Sequence, residues 1–287
     1  MGQVIARKDD MMGCKLRLFL MGLVASVIFG GCAVEPDTGV SAFGDRDKGL
    51  VIILPGIQGN GSINEDIRQA LIGSGVQCAV EIRQWGFLIP GAKLLVNQVN
   101  VPGNRQAGRK IAEQLAAYQT GHPDRPMYVI GHSGGAGIGV FALEHLARIP
   151  DSRPITGAVL LCASISSDYD LTAALSRSRE GIVNFYNERD VALLGIGTTL
   201  LGNVDGGRSA SAGRSGFRLP GATDGATRRP AYERLYQVQM IRDMVYHGSD
   251  PHVIGTSRPF IATYVAEWIM DQTWPPAAVA ARREARP

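Results

Sequence analysis

The segment that most constrains this chain is Met127-Tyr128-Val129-Ile130-Gly131-His132-Ser133-Gly134-Gly135-Ala136-Gly137. A short apolar run ends in Gly-x-Ser-x-Gly, and a helical pattern follows over 138–147. A strand that turns straight into a helix leaves no room for a Cβ at the flanking positions. Gly131 and Gly135 are therefore required, and the residue between them is forced into a strained backbone conformation. A turn of this kind sets its serine, here Ser133, exposed at the carboxyl edge of a sheet, where it can serve as a nucleophile. The next backbone N–H, that of Gly134, lies at a helix N-terminus and is placed to stabilise an oxyanion.

Glycine-rich turns also bind dinucleotides, and Gly131, Gly135 and Gly137 fit that spacing about as well. Two observations count against it. The turn comes after at least two earlier strand–helix units, whereas a dinucleotide fingerprint belongs to the first unit of its domain. The next apolar run, 156–162, ends in Ala163-Ser164, with no acid to hold a ribose hydroxyl.

Residues 1–31 read as a signal peptide. Lys15 and Arg17 precede an apolar run over 18–29, too short to span a bilayer as a helix and suited to a secretory signal. The signal is better proportioned if it starts at Met11 or Met12. Gly30-Gly31-Cys32 follows, and small residues before a cysteine resemble the lipobox of bacterial lipoproteins. That resemblance implies cleavage before Cys32 and a lipid on Cys32. The protein would then be exported and lipid-anchored to a bacterial membrane, facing the periplasm or exterior. Residues 32–48, polar with Pro and Gly, read as a tether, and 279–287 as a disordered tail. Cys78 and Cys162 lie in apolar runs, where a thiol is a small buried hydrophobe, so two free thiols are expected. No Cys/His spacing suggests a metal, and a net charge of +3 gives no sign of nucleic-acid binding.

Residues 49–278 are enough for one α/β domain with a large core. Apolar runs at 50–54, 76–84, 127–130, 156–162, 181–186 and 233–240 alternate with helical patterns at 63–72, 106–119, 134–147 and 259–270. This is the alternation of βαβ units, so a mostly parallel sheet of about six strands with helices on both faces is expected. The stretch 202–229, dense in Gly, Ser, Ala and Arg, reads as a loop insertion that is either functional or mobile. Its Arg208, Arg214 and Arg218 are either solvated or placed to meet an anion.

With the Gly-x-Ser-x-Gly turn on the third strand, residues 50–270 resemble an α/β-hydrolase of the lipase/esterase kind. The version is minimal, because the two N-terminal antiparallel strands of the full fold have no room before residue 50. The resemblance implies a triad in the order Ser, Asp or Glu, His. Asp190, in the turn after 182–186, is the expected acid. Glu188 is its neighbour, and Asp168 or Asp170 would serve from one strand earlier. His252, just before the last helix, is the expected base, with His247 as the other choice. His122, in a polar turn, His145, on the exposed side of a helix, and His132 are expected to be structural. The loop Leu54-Pro55-Gly56-Ile57-Gln58-Gly59-Asn60-Gly61 implies Ile57 as second oxyanion donor beside Gly134. Trp85, Phe87, Leu88 and Ile89 line an acyl pocket or belong to the core. The implied chemistry is hydrolysis of a small-molecule or lipid ester through an acyl-enzyme, with no cofactor or metal. The rival from another class is a membrane-anchored protein that keeps the fold but only binds or scaffolds.

Overall fold

The strand Met127–His132 is buried at every position, which is possible only in the middle of a sheet covered on both faces. The computed structural model describes residues 43–86, 97–190, 202–221, 228–241, 244 and 250–277, all within one compact unit, Gly39–Pro287. Six strands form the sheet: β1 (Asp45–Leu54), β2 (Cys78–Ile82), β3 (Met127–His132), β4 (Ile155–Leu161), β5 (Ser178–Tyr186) and β6 (Leu235–Gln239). Their order is β2-β1-β3-β4-β5-β6 and every pairing is parallel. The expected fold class is the one found.

Helices α1 (Ser62–Gly73), α2 (Val101–Gly121) and α3 (Gly134–Leu146) follow β1, β2 and β3. On one face, Ile111, Leu115, Ile138 and Phe141 of α2 and α3 pack against Ile52, Val129 and Leu160. On the other, Ile67 and Leu71 of α1 pack with Val51, Ile130 and Phe185. The C-terminal helical run joins them there through Phe260, Val265 and Trp268. That run is α-helical over Arg258–Phe260 and Ala266–Met270, with a π-helical stretch Ile261–Val265 between them. Each fully buried side chain of this size contributes roughly 1.5–3 kcal/mol. The helices after β1 and β3, two adjacent strands, thus lie on opposite faces. Such a switch opens a crevice at the carboxyl ends of those strands, where ligands bind in open α/β sheets.

Register completes the placement. Leu54 pairs with Gly131, His132 with Leu161, and Leu161 with Phe185. The segments that leave β1, β3, β4 and β5 therefore start at one level along one edge.

Two boundaries differ from expectation. β1 begins at Asp45, inside the stretch read as tether. Its first four residues are exposed and polar, so they carry no apolar signal, but Asp45 N–H donates to Gln77 O and Arg46 pairs with buried Glu81. The stretch read as a loop insertion is also well anchored over its described part. Ser211 bridges to Ser166, a short helix spans Ala212–Ser215, and Val204, Ala212 and Phe217 are buried.

Candidate active site at the carboxyl edge

Ser133 has φ 52° and ψ −121°, the strained conformation expected of a residue between β3 and α3. The flanking glycines show why. A Cβ on Gly135 would stand 2.2 Å from Leu54 O and 2.3 Å from Pro55 O, and one on Gly131 would stand 2.4 Å from Ala136 Cα. The turn is locked to its neighbour, with Ser133 N–H donating to Leu161 O (2.9 Å) and Ser164 N–H to Ser133 O (3.0 Å). One expectation is corrected: Ser133 is only 5 % exposed.

Asp190 lies in the turn directly after β5 and His252 in the connection between β6 and the C-terminal helical run. The fold brings their side chains together, with His252 Nδ1 2.5 Å from Asp190 Oδ2 and both residues buried. A carboxylate oxygen only accepts, so the proton belongs on Nδ1 and the basic lone pair on Nε2. His132, the residue before Ser133, lies against this pair. The His132 ring lies 5.0 Å from that of His252, and His132 Nε2–H donates to the His252 carbonyl (3.1 Å). Burial, and secondarily the charge of His252, pushes the His132 pKa down to about 3, so this imidazole is neutral.

The other candidates lie elsewhere. Glu188 is exposed. Asp168 accepts from the Ser209 hydroxyl, and Asp170 holds Thr172 and pairs with Arg228. His122 stacks on Tyr118, and His145 is half-buried rather than exposed. Arg208 and Arg218 are exposed and Arg214 half-buried. His247, Phe87, Leu88, Ile89 and Cys32 lie outside the described residues.

The loop after β1 is held through three successive carbonyls. Pro55 O accepts from Trp85 Nε1–H (2.7 Å), Gly56 O from Gly59 N–H (2.9 Å) and Ile57 O from Asn97 Nδ2 (3.1 Å). Peptide planes fixed in this way fix the direction of the N–H groups opposite, that of Ile57 among them. Ile57 and Gly134 are neighbours, since a Cβ on Gly134 would stand 2.6 Å from Ile57 Cγ2 and 3.2 Å from the Trp85 ring. Trp85 is buried against the loop after β1, a bracing position that its place in the sequence did not reveal.

Cys162, at φ 47° just after β4, brings its thiol within 4.8 Å of the Asp190 carboxylate and a ring nitrogen of His252. A thiol, a carboxylate and an imidazole are a possible metal-ligand set. The donor chemistry fits poorly: burial, and then the charges of Asp190 and Asp250, raise the Cys162 pKa well above the ordinary range and keep the thiol protonated. His252 Nδ1 is already committed to Asp190. Cys78 and Cys162 are both free and buried.

No protein-family profile and no curated protein sequence matches the chain. Among solved structures it is similar to esterase PE8, at 15 % identity over 71 % of this chain and 93 % of that one, with a TM-score of 0.43. A putative dienelactone hydrolase from Klebsiella pneumoniae subsp. pneumoniae MGH 78578 is similar at 15 % identity, 78 % and 82 % coverage and a TM-score of 0.42. A type II thioesterase from a yersiniabactin biosynthetic pathway is similar at 17 % identity and a TM-score of 0.31, over 42 % of this chain and 44 % of that one. The chain thus spans under half the length of that thioesterase.

Proposed function

We propose that the protein is a serine hydrolase that cleaves carboxylic or lipid esters through an acyl-enzyme, with Ser133, His252 and Asp190 as its triad. The observation that supports this best is the buried His252–Asp190 pair at 2.5 Å, packed against the residue before a serine held at positive φ. In this reading His252 Nε2 takes the Ser133 hydroxyl proton as the oxygen attacks the ester carbonyl. The N–H groups of Gly134 and Ile57 hold the oxyanion. Collapse of the tetrahedral intermediate expels the alcohol, which receives the proton from His252. Water, deprotonated by the same imidazole, then releases the acid and frees Ser133. Asp190 keeps its negative charge throughout, fixing the tautomer and stabilising the imidazolium. The chemistry calls for no metal or cofactor.

The test is labelling by a fluorophosphonate probe together with hydrolysis of a short-chain aryl ester. Ser133→Ala should abolish both while leaving the fold intact, and Asp190→Asn and His252→Ala should each cost about a thousandfold or more in kcat without adding to the loss in Ser133→Ala. A Ser133→Ala protein within about tenfold of wild-type activity would refute the reading.

We also propose export and lipid anchoring through Cys32, on the strength of the apolar run over 18–29 and Gly30-Gly31-Cys32. Anchoring by more than one acyl chain is stable where one is not. A Cys32→Ser chain, expressed in a lipoprotein-processing bacterium, should accumulate as a higher-mass precursor. Normal processing and release would overturn this.

A further inference from the structure

We propose that His132 and Asn187 are positioning residues that hold the main chain carrying His252, and so aim its imidazole at Ser133; this rests on the triad reading above. His252 needs such help. Asp190 sits in a short turn fixed by β5, with its N–H donating to Asn187 O (3.0 Å). His252 instead lies between Gln239, where β6 ends, and Ile254, where a 3-10 turn begins. Its local bonds, His252 N–H to Asp250 Oδ1 (2.8 Å) and Ile254 N–H to Asp250 O (3.0 Å), shape the turn on itself but do not tie it to the sheet.

Two consecutive carbonyls make that tie. Pro251 O accepts from Asn187 Nδ2 (2.9 Å), and His252 O accepts from His132 Nε2 (3.1 Å). The donors lie at the ends of β5 and β3, the strands that also present the acid and the nucleophile. Asn187 therefore touches the acid through its own carbonyl and the base's turn through its amide. His132 is covalently joined to Ser133 and hydrogen-bonded to the peptide of the base. Relative movement of the three groups would have to break one of these links.

The cost of His132 argues that it is there for its donor. The residue is fully buried and its Nδ1 has no hydrogen-bond partner among the described residues. A buried polar atom left unpaired is unfavourable, and an aromatic or aliphatic side chain would fill the space without that penalty. What an apolar side chain would lack is the N–H on the His252 carbonyl. Misplacing a catalytic group by about 1 Å can cost about a hundredfold in rate.

The experiment compares His132→Phe, which keeps the volume and removes the donor, with His132→Gln, whose amide nitrogen reaches the place of Nε2. Asn187→Leu examines the second tie. Each purified protein is checked by circular dichroism and thermal melting and assayed on a short-chain aryl ester. His132→Phe should lower kcat about ten- to a hundredfold with KM within about threefold, and His132→Gln should recover most of that loss. In a His252→Ala background, His132→Phe and Asn187→Leu should cause no further loss, because there is no imidazole left to aim. A folded His132→Phe protein with kcat within about twofold of wild type, or an equal loss in both backgrounds, overturns the proposal. If His132→Phe does not fold, Asn187→Leu decides by the same two criteria. Activity that survives Ser133→Ala refutes the hydrolase reading and this proposal with it. Activity lost in Ser133→Ala but kept in both His132→Phe and Asn187→Leu refutes only the positioning.

Discussion

Replacing His132 by Gln should flatten one arm of the protein's stability profile against pH. In the folded state the His132 pKa is pushed down to about 3, chiefly by burial and then by the charge of His252, against 6.5 for an ordinary histidine. The native state therefore refuses a proton that the unfolded chain accepts once the pH falls below 6.5. Where the unfolded state binds more protons, stability falls as pH falls. His132 costs nothing above pH 6.5. The penalty grows by about 1.4 kcal/mol for each unit below it, reaching about 2 kcal/mol at pH 5, and levels off near the folded pKa of about 3. Urea unfolding of the two proteins from about pH 7.5 to about pH 4.5 isolates this one group, since His252, Asp190 and Cys162 are present in both. The stability of wild type minus that of His132→Gln should be constant above pH 6.5 and fall by about 2 kcal/mol by pH 5. A difference that stays constant across the whole range would refute the placement of His132 as a buried, neutral imidazole.

Two further changes test the frame of the site. Gly135→Ala drives a Cβ to 2.2 Å and 2.3 Å from the backbone oxygens of Leu54 and Pro55, neither of which can swing away, and should cost about 3 kcal/mol or more; a thermal melt equal to wild type would contradict the tightness of the turn. Trp85→Phe removes the N–H on Pro55 O and should lower kcat/KM for ester hydrolysis about tenfold, since a buried carbonyl left unpaired costs about 1–3 kcal/mol. Unchanged kinetics would mean that the loop after β1 keeps its shape without that brace.

The sheet was legible because its central strands are apolar at nearly every position, and β3 announces its own end through the two glycines that only a strand-to-helix turn demands. Signals faded where structure is polar or made of small residues. Asp45, Arg46 and Asp47 extend β1 with exposed side chains and so look like linker. The described part of 202–229 looks mobile in sequence because it is rich in glycine. In the fold those glycines allow close approach: a Cβ on Gly213 would stand 2.1 Å from the Cys162 carbonyl carbon, and one on Gly207 2.0 Å from Ser166 Oγ. The same composition serves looseness and tight contact, and only the neighbours distinguish them. For the site, the triad order implied by the family resemblance pointed to Asp190 and His252, which the fold brings into hydrogen-bond contact. Asn187 and His132 could not be singled out in this way. Each acts on a peptide carbonyl, and carbonyls are the same at every position of a sequence.

β1 does not run evenly into the sheet. Asp45 and Leu50, five residues apart, pair with the adjacent Cys78 and Ala79, so four residues bulge out of register before the regular strand Leu50–Leu54 begins. Phe43 pairs antiparallel with Val80, beside the middle of β2. A displacement of the chain ahead of β1 is therefore taken up by that bulge before it reaches the strand that leads into the loop at Gly56 and Ile57.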